Sequence, residues 1–446
     1  MKMTYNRIVT VLLLAFALCG IEAGAGNAGV KPGDVITARD AWKVVDLVSP
    51  GNWYLVRQGM VMKIVPTGNL EWPPPYRIAT EKYSSQVSLS PKGAIKSYRA
   101  GLPFPVIDFN DPQAATKIMW NFEFRPLYTD DLDVRNFEMV SHRPGSKTAV
   151  EDFVIGHLGF YKNVGRVEVP PVPLNSDVYE IGTAYRGGIF PILDPPEIRG
   201  AGLIRQGSVL PGVEDAAWEY SPRTRRLRRL PATELADAFG VPTYGSSGPK
   251  GGGAAGVSTF ASTIDPDSTF GFAAKANDYN YRLLGEKNML ASVEAQNIPA
   301  IPCANDGDRS VCPENWEMRH LYVIEATVKP RSMLGGQVDI PKRIFYIDSE
   351  GWFITAADLF NPRGELWKTI ATFNAYRDRA APGARVAIWP FKRMFQTAMV
   401  DEDLSSGFST TAFTPRTDSK SECWYINNGV VDNAFFTTAN MVQMAR

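Results

Sequence analysis

From about Phe153 onward, apolar and polar positions alternate over short runs that glycine and proline interrupt. Phe153-Val154-Ile155, Leu158-Gly159-Phe160-Tyr161 and Val178-Tyr179-Glu180-Ile181 are the first of these runs. A period of two places alternate side chains on opposite faces of a strand, so the pattern predicts an antiparallel meander. Its clearest member is Tyr322–Val328, where Tyr322, Ile324, Ala326 and Val328 alternate with Val323, Glu325 and Thr327. Arg343–Asp348, Trp352–Thr355, Glu365–Lys368, Val386–Trp389, Gln396–Val400 and Gly407–Ser409 continue it, with tight turns at Ser349-Glu350-Gly351 and Asn361–Gly364. Large apolar or aromatic residues occupy both faces of these strands. One face is expected to pack on helices; the other needs a second cover or a ligand.

The first 150 residues follow a different rhythm. Thr37 is a candidate cap for a helix to about Leu47, ended by Pro50-Gly51. A second helix is predicted over Trp53–Val65 and another from Thr80, with Pro73-Pro74-Pro75 as an extended spacer between them. Asp111 and Pro112 suit the N-cap and first position of a helix carrying Ala114, Ala115, Ile118, Met119 and Phe122 at helical spacing. A short helical tail is predicted near Ala439–Met444. This gives three regions: 1–25, a helical segment 26–150 packing on a sheet, and the sheet itself over 151–446, interrupted by a Gly/Ser-rich loop at 245–256.

The leading region is a signal peptide by pattern. Lys2 and Arg7 precede an apolar run from Ile8 to Leu18, and Ala23-Gly24-Ala25 follows as a small-x-small cleavage site. The run is too short to span a membrane. The mature protein is expected to be exported, and soluble or peripherally attached. Cys19 raises lipidation as an alternative, although Leu18 stands where a lipobox has a small residue.

Composition narrows the chemistry. The chain has 446 residues, 44% hydrophobic, with 47 basic and 47 acidic residues. That balance argues against a nucleic-acid binder. Cys303 and Cys312 flank a polar, turn-rich loop, and an exported chain would close it as a disulfide. The three histidines, His142, His157 and His320, have no metal-ligand spacing, and no Gly-x-Ser-x-Gly elbow exists. Asp130, Asp131 and Asp133 read as a solvated loop. No cofactor or metal is called for. Asp401 and Glu402 stay open as acid/base candidates of a hydrolase, because carboxylate separation is spatial.

The stretch 217–231 stands apart. Trp218 and Tyr220 share one face of a strand, Ser221-Pro222-Arg223-Thr224 is a turn, and Arg225, Arg226, Arg228 and Arg229 surround Leu227 on the way out. So many guanidinium groups cannot all enter an apolar core. They form either an edge that blocks aggregation or a rim that meets a partner protein or anionic lipid.

This hairpin carries a resemblance. Arg199–Leu203, Trp218–Pro222 with Arg225–Pro231, Tyr281–Lys287, Tyr322–Thr327 and Lys342–Asp348, together with Gly101–Pro105 and Asp111-Pro112, resemble a family of Gram-negative cell-envelope proteins of unknown function described as outer-membrane lipoprotein-sorting-like. The resemblance spans nearly the whole mature chain. It implies an α+β, mainly β, Lol-type fold: a strongly curved, incomplete antiparallel β-barrel whose open side is plugged by helices. Lol-type carriers hold acyl chains in that cavity, and similar proteins work beside inner-membrane transporters and outer-membrane partners. No catalytic residue comes with it.

The expectation is a non-enzymatic periplasmic carrier or chaperone for a hydrophobic, lipid-like ligand, with Trp218, Tyr220, Tyr346, Trp352 and Trp367 lining the cavity and the four arginines at its rim. A hydrolase and a ligand-free structural adaptor of an outer-membrane complex are the alternatives.

Overall fold

Ser49 decides how the N-terminal segment folds. In the computed structural model its Oγ accepts the N–H of Asn52 at 3.0 Å, and Pro50 takes the first helical position. Pro50-Gly51 therefore starts helix α1 (Pro50–Gln58) instead of ending one. The helix stops at Gly59, whose φ of 128° excludes most side chains. The chain then enters a strand, so the helix expected over 53–65 is split. The model describes residues 29–146, 148–149, 151–176, 183–209, 216–230, 279–329, 340–379, 388–413 and 423–446. The signal segment, Cys19, the strand expected at Val178–Ile181 and the loop 245–256 lie outside them.

The strands before the large sheet proper are β1 (Val35–Ile36), β2 (Met62–Ile64), β3 (Ser88–Leu89) and β4 (Ile95–Lys96). Between them Ala41–Val44 makes one 3-10 turn where a longer helix was expected, and α2 (Pro74–Tyr83) opens on the prolines read as a spacer. Helix α3 (Ala114–Glu123) buries Ala114, Ala115, Ile118, Met119 and Phe122 as its spacing predicts. The long strands follow: β5 (Asp131–His142), β6 (Glu151–Lys162), β7 (Tyr185–Ile189), β8 (Ile192–Asp194), β9 (Gly202–Gly207), β10 (Ala216–Ser221) and β11 (Arg226–Leu230). Then come β12 (Tyr279–Ala291), β13 (Glu314–Val328), β14 (Lys342–Asp348), β15 (Ile354–Phe360), β16 (Leu366–Arg379), β17 (Ile388–Asp403), β18 (Phe408–Phe413) and β19 (Trp424–Ile426), with α4 (Thr438–Met444) at the end. The long strands thus begin at Asp131, about twenty residues before the alternating pattern becomes visible.

Among the described residues seventeen strands form one mixed sheet, and β3–β4 stand apart. The spatial run is β11-β10-β9-β7-β6-β5-β18-β17-β16-β15-β14-β13-β12, all antiparallel, with β2 added in parallel to β13. Ser292, just past β12, also bridges Phe373 of β16, and the Asn374 N–H donates to Ser292 O at 3.1 Å.

Each face has its own cover. One, here the inner face, carries Ile324, Phe345, Ile370 and Phe395 and meets α2, α3 and the connectors around them in one apolar cluster. The other carries Ala371, Phe373, Ala398 and Val400 and is covered by α1 and by residues 293–313. Cys303 and Cys312 are joined by a disulfide within that cover. A third cluster forms where α4 lies on β9 and β10.

Candidate functional site

The inner face is the candidate for binding, and α3 ends upon it. The final turn of α3 leaves carbonyls at Phe122 and Glu123 that need donors. Arg125 Nη1 donates to Phe122 O at 2.7 Å, and Lys162 Nζ donates to Glu123 O at 3.1 Å. A cation at a helix C-terminus is favoured by the aligned peptide dipoles. Both side chains are nevertheless nearly removed from water, Arg125 at 4% and Lys162 at 7% exposure. Burial lowers the Lys162 ammonium to about 8, against the opposing pull of the Glu123 carboxylate. Arg125 Nε has no hydrogen-bond partner.

Aromatic rings stand between these cations and the floor of the inner face. Lys162 Nζ lies 5.5 Å from the centre of the Phe160 ring, and Arg125 Cζ 6.0 Å from that of Tyr128. The two rings meet edge to face at 5.8 Å. Beyond Tyr128 is an apolar void of about 20 Å³ bordered by Leu132, Val134, Phe137, Met399 and Trp424. That volume suits one water-sized molecule.

The rings proposed from sequence do not form one lining. Trp352 lies in the inner cluster, stacked on Tyr322 at 5.5 Å. Trp218 and Tyr220 project from the opposite face of β10 into the cluster under α4, while Ala217, just before them, joins the inner cluster. Tyr346 packs with Met289 and Leu321 away from the inner cluster, and its hydroxyl donates to Asp358 at 3.1 Å. Trp367 is half-buried, and its Nε1 donates to Asp403. On the hairpin Arg225, Arg226 and Arg229 are exposed; Arg228 is ion-paired with Glu219 at 3.1 Å, and Arg229 lies over the Trp218 ring.

The carboxylates are committed elsewhere. Glu402 is ion-paired with Arg309 of the disulfide loop, and Asp401 is fully buried. The acidic run read as a solvated loop is buried throughout. The Asp130 carboxylate accepts the N–H groups of Val167, Glu168 and Val169 at 2.6–2.8 Å. Asp131 accepts from Asn428 and Gly429, and burial pushes it up to about 6. Asp133 holds Arg135 and His157 Nδ1. Among the described residues no group of His, Cys, Asp and Glu is arranged to hold a metal.

Sequence reasoning passed over Lys162, Arg125 and Glu123. The available signal was charge set inside apolar runs: Phe122-Glu123-Phe124-Arg125 at a helix end, and Lys162 directly after Phe160-Tyr161.

Residues 35–442 match the model of a family described as a protein of unknown function, DUF1329, and the chain belongs to that family. Among solved structures it is similar to an outer membrane lipoprotein-sorting protein domain from Vibrio parahaemolyticus, at 12% identity and TM-score 0.43, covering 74% of this chain and 100% of that one. A DUF1329 family protein from Desulfovibrio piger gives 14% identity and TM-score 0.43, with 74% and 98% covered. A LolA superfamily protein from Nitrosomonas europaea gives 15% and 0.36, with 73% and 98% covered. No curated protein sequence matches the chain.

Proposed function

We propose that this DUF1329 protein is a non-enzymatic carrier or chaperone of the cell envelope that holds a hydrophobic, lipid-like ligand on its inner face. The observation behind the reading is the continuous apolar surface of that face, running from Ala217 of β10 to Tyr279 of β12 with an apolar void in its floor. The hydrogen bond between Asn374 and Ser292 supports a strongly curved, incomplete barrel, with α2 and α3 plugging its open side. Trp352 is the one of the five proposed rings that faces this interior. Arg225, Arg226, Arg228 and Arg229 form its rim, where an inner-membrane transporter or an outer-membrane protein would dock. The disulfide fits an oxidising compartment such as the periplasm.

An acyl chain placed in this void would require it to widen, because about 20 Å³ does not admit one. That small void favours the second reading, a ligand-free adaptor. Organic extraction of protein purified from the envelope, followed by lipid mass spectrometry, separates the two. Lipid near one molecule per chain supports the carrier. No lipid, together with no binding of a fluorescent fatty-acid probe, overturns it in favour of the adaptor.

A further inference from the structure

We infer that the ligand of this interior is an anionic amphiphile, with its acyl chain on the floor around Phe137 and Met399 and its acidic head at Arg125 and Lys162. The inference rests on the carrier reading and deepens it. Three charged groups act on Lys162: Glu123, Arg125 and Asp130. The Asp130 oxygens are occupied by three backbone N–H groups. Glu123 and Asp130 balance the two cations in charge, but the hydrogen bonds of Arg125 and Lys162 go to the neutral carbonyls of Phe122 and Glu123. A buried cation is costly unless a counter-charge in hydrogen-bond geometry joins it. A carboxylate or a phosphate ester supplies that charge and takes the Nε–H that Arg125 leaves unused.

The tail has its place on the same map. Phe160 and Tyr128 connect the cations to the apolar void: Lys162 lies against Phe160, Arg125 against Tyr128, the two rings meet, and Tyr128 borders the void. Rotation of these two rings joins the void to the cation pair. Tyr128 is held there by one hydrogen bond, from Gln396 N–H to its hydroxyl at 3.2 Å. Both cations also cap carbonyls of α3, and a purely structural role would end there. Such a role predicts that removing Lys162 lowers stability without changing any preference among ligands.

The test is a fluorescence titration of the full mature protein with dansyl-undecanoic acid and with its methyl ester. The acid is expected to bind about tenfold more tightly, the equivalent of one charge-assisted contact. Lys162→Met and Arg125→Met keep length and apolar bulk, and each is expected to bring the acid-to-ester ratio toward one with ester affinity unchanged. Should both fail to fold, Glu123→Gln serves: it removes the competing carboxylate and is expected to raise affinity for the acid alone. Displacement of the probe by oleate or by phosphatidylglycerol supports the inference in either case and identifies the source of the head group. Equal affinity of acid and ester in the parent protein overturns the inference while leaving a carrier. Binding of neither overturns the carrier reading itself. An acid-to-ester ratio unmoved in every folded variant shows that the cations only cap the helix.

Discussion

Replacing Gly51 with alanine tests how α1 is seated on the sheet. A Cβ at this position would fall 1.8 Å from Thr369 Oγ1 and 2.5 Å from Asp358 Oδ1, well inside van der Waals contact. Thr369 cannot swing away freely, because its hydroxyl donates to the same Asp358 oxygen at 3.1 Å. The Gly51 N–H also donates to that oxygen, at 3.1 Å. Overpacking of this kind costs about 1–3 kcal/mol. Loss of a hydrogen bond to a buried carboxylate adds about 1.5–3 kcal/mol. Gly51→Ala should therefore lose about 3–5 kcal/mol in urea unfolding followed by far-UV circular dichroism. Thr369→Gly removes the obstructing hydroxyl and the Cβ that would lie 2.2 Å away, so in the double variant part of the loss should return, with a coupling of about 1 kcal/mol or more. A Gly51→Ala protein within about 0.5 kcal/mol of the parent, or strict additivity with Thr369→Gly, would refute the seating described.

Asp130→Asn leaves one acceptor oxygen where a charged pair served three backbone donors, and should cost about 3 kcal/mol in the same unfolding assay; a near-neutral result would mean that the 167–169 turn rearranges freely. Replacing Cys303 and Cys312 together by serine opens a loop with a sequence separation of 9 and should cost about 2–3 kcal/mol, read as a lowered urea midpoint that reductant reproduces in the parent. Burial pushes Asp358 up to about 6 and Glu317 up to about 7. A carboxyl raised on folding adds stability that is complete below its unfolded pKa and is lost as pH rises through the folded value. The urea midpoint should thus fall between pH 5 and pH 8, and Asp358→Asn should flatten that slope by about 1 kcal/mol; an unchanged slope would contradict the assignment. Glutamate at Arg225, Arg226 and Arg229 should leave stability within about 0.5 kcal/mol, since these side chains are exposed, while abolishing partner capture in envelope cross-linking; cross-linking unchanged would reduce the rim to an aggregation guard.

Alternation made the central strands legible, because Ile324 and Ala326 of β13 and Phe345 and Ile347 of β14 carry their burial in a period of two. Helix α3 was legible for the matching reason at 3.6 residues. What stayed hidden depends on partners far along the chain. Asp131 and Asp133 look like loop residues until the turn at 427–429 and His157 arrive to satisfy them. Pro50-Gly51 suits a helix end as well as a helix start, and only the Ser49 hydroxyl distinguishes them. The parity of Trp218 and Tyr220 told that they share a face, but α4 determines which face it is. The charges on Lys162 and Arg125 acquire a context only when β6 is laid beside the end of α3.

Met62 of β2 pairs with Glu314 in parallel, and Leu132 of β5 pairs with Ile426. The segments that leave the ribosome first thus wait for those made last. Such long loops must close before any contact rewards them, which slows folding and lengthens exposure of apolar strands. A chain wired in this way cannot complete its core during synthesis. The sheet around β5 stays open until Trp424–Ile426 of β19 has been made.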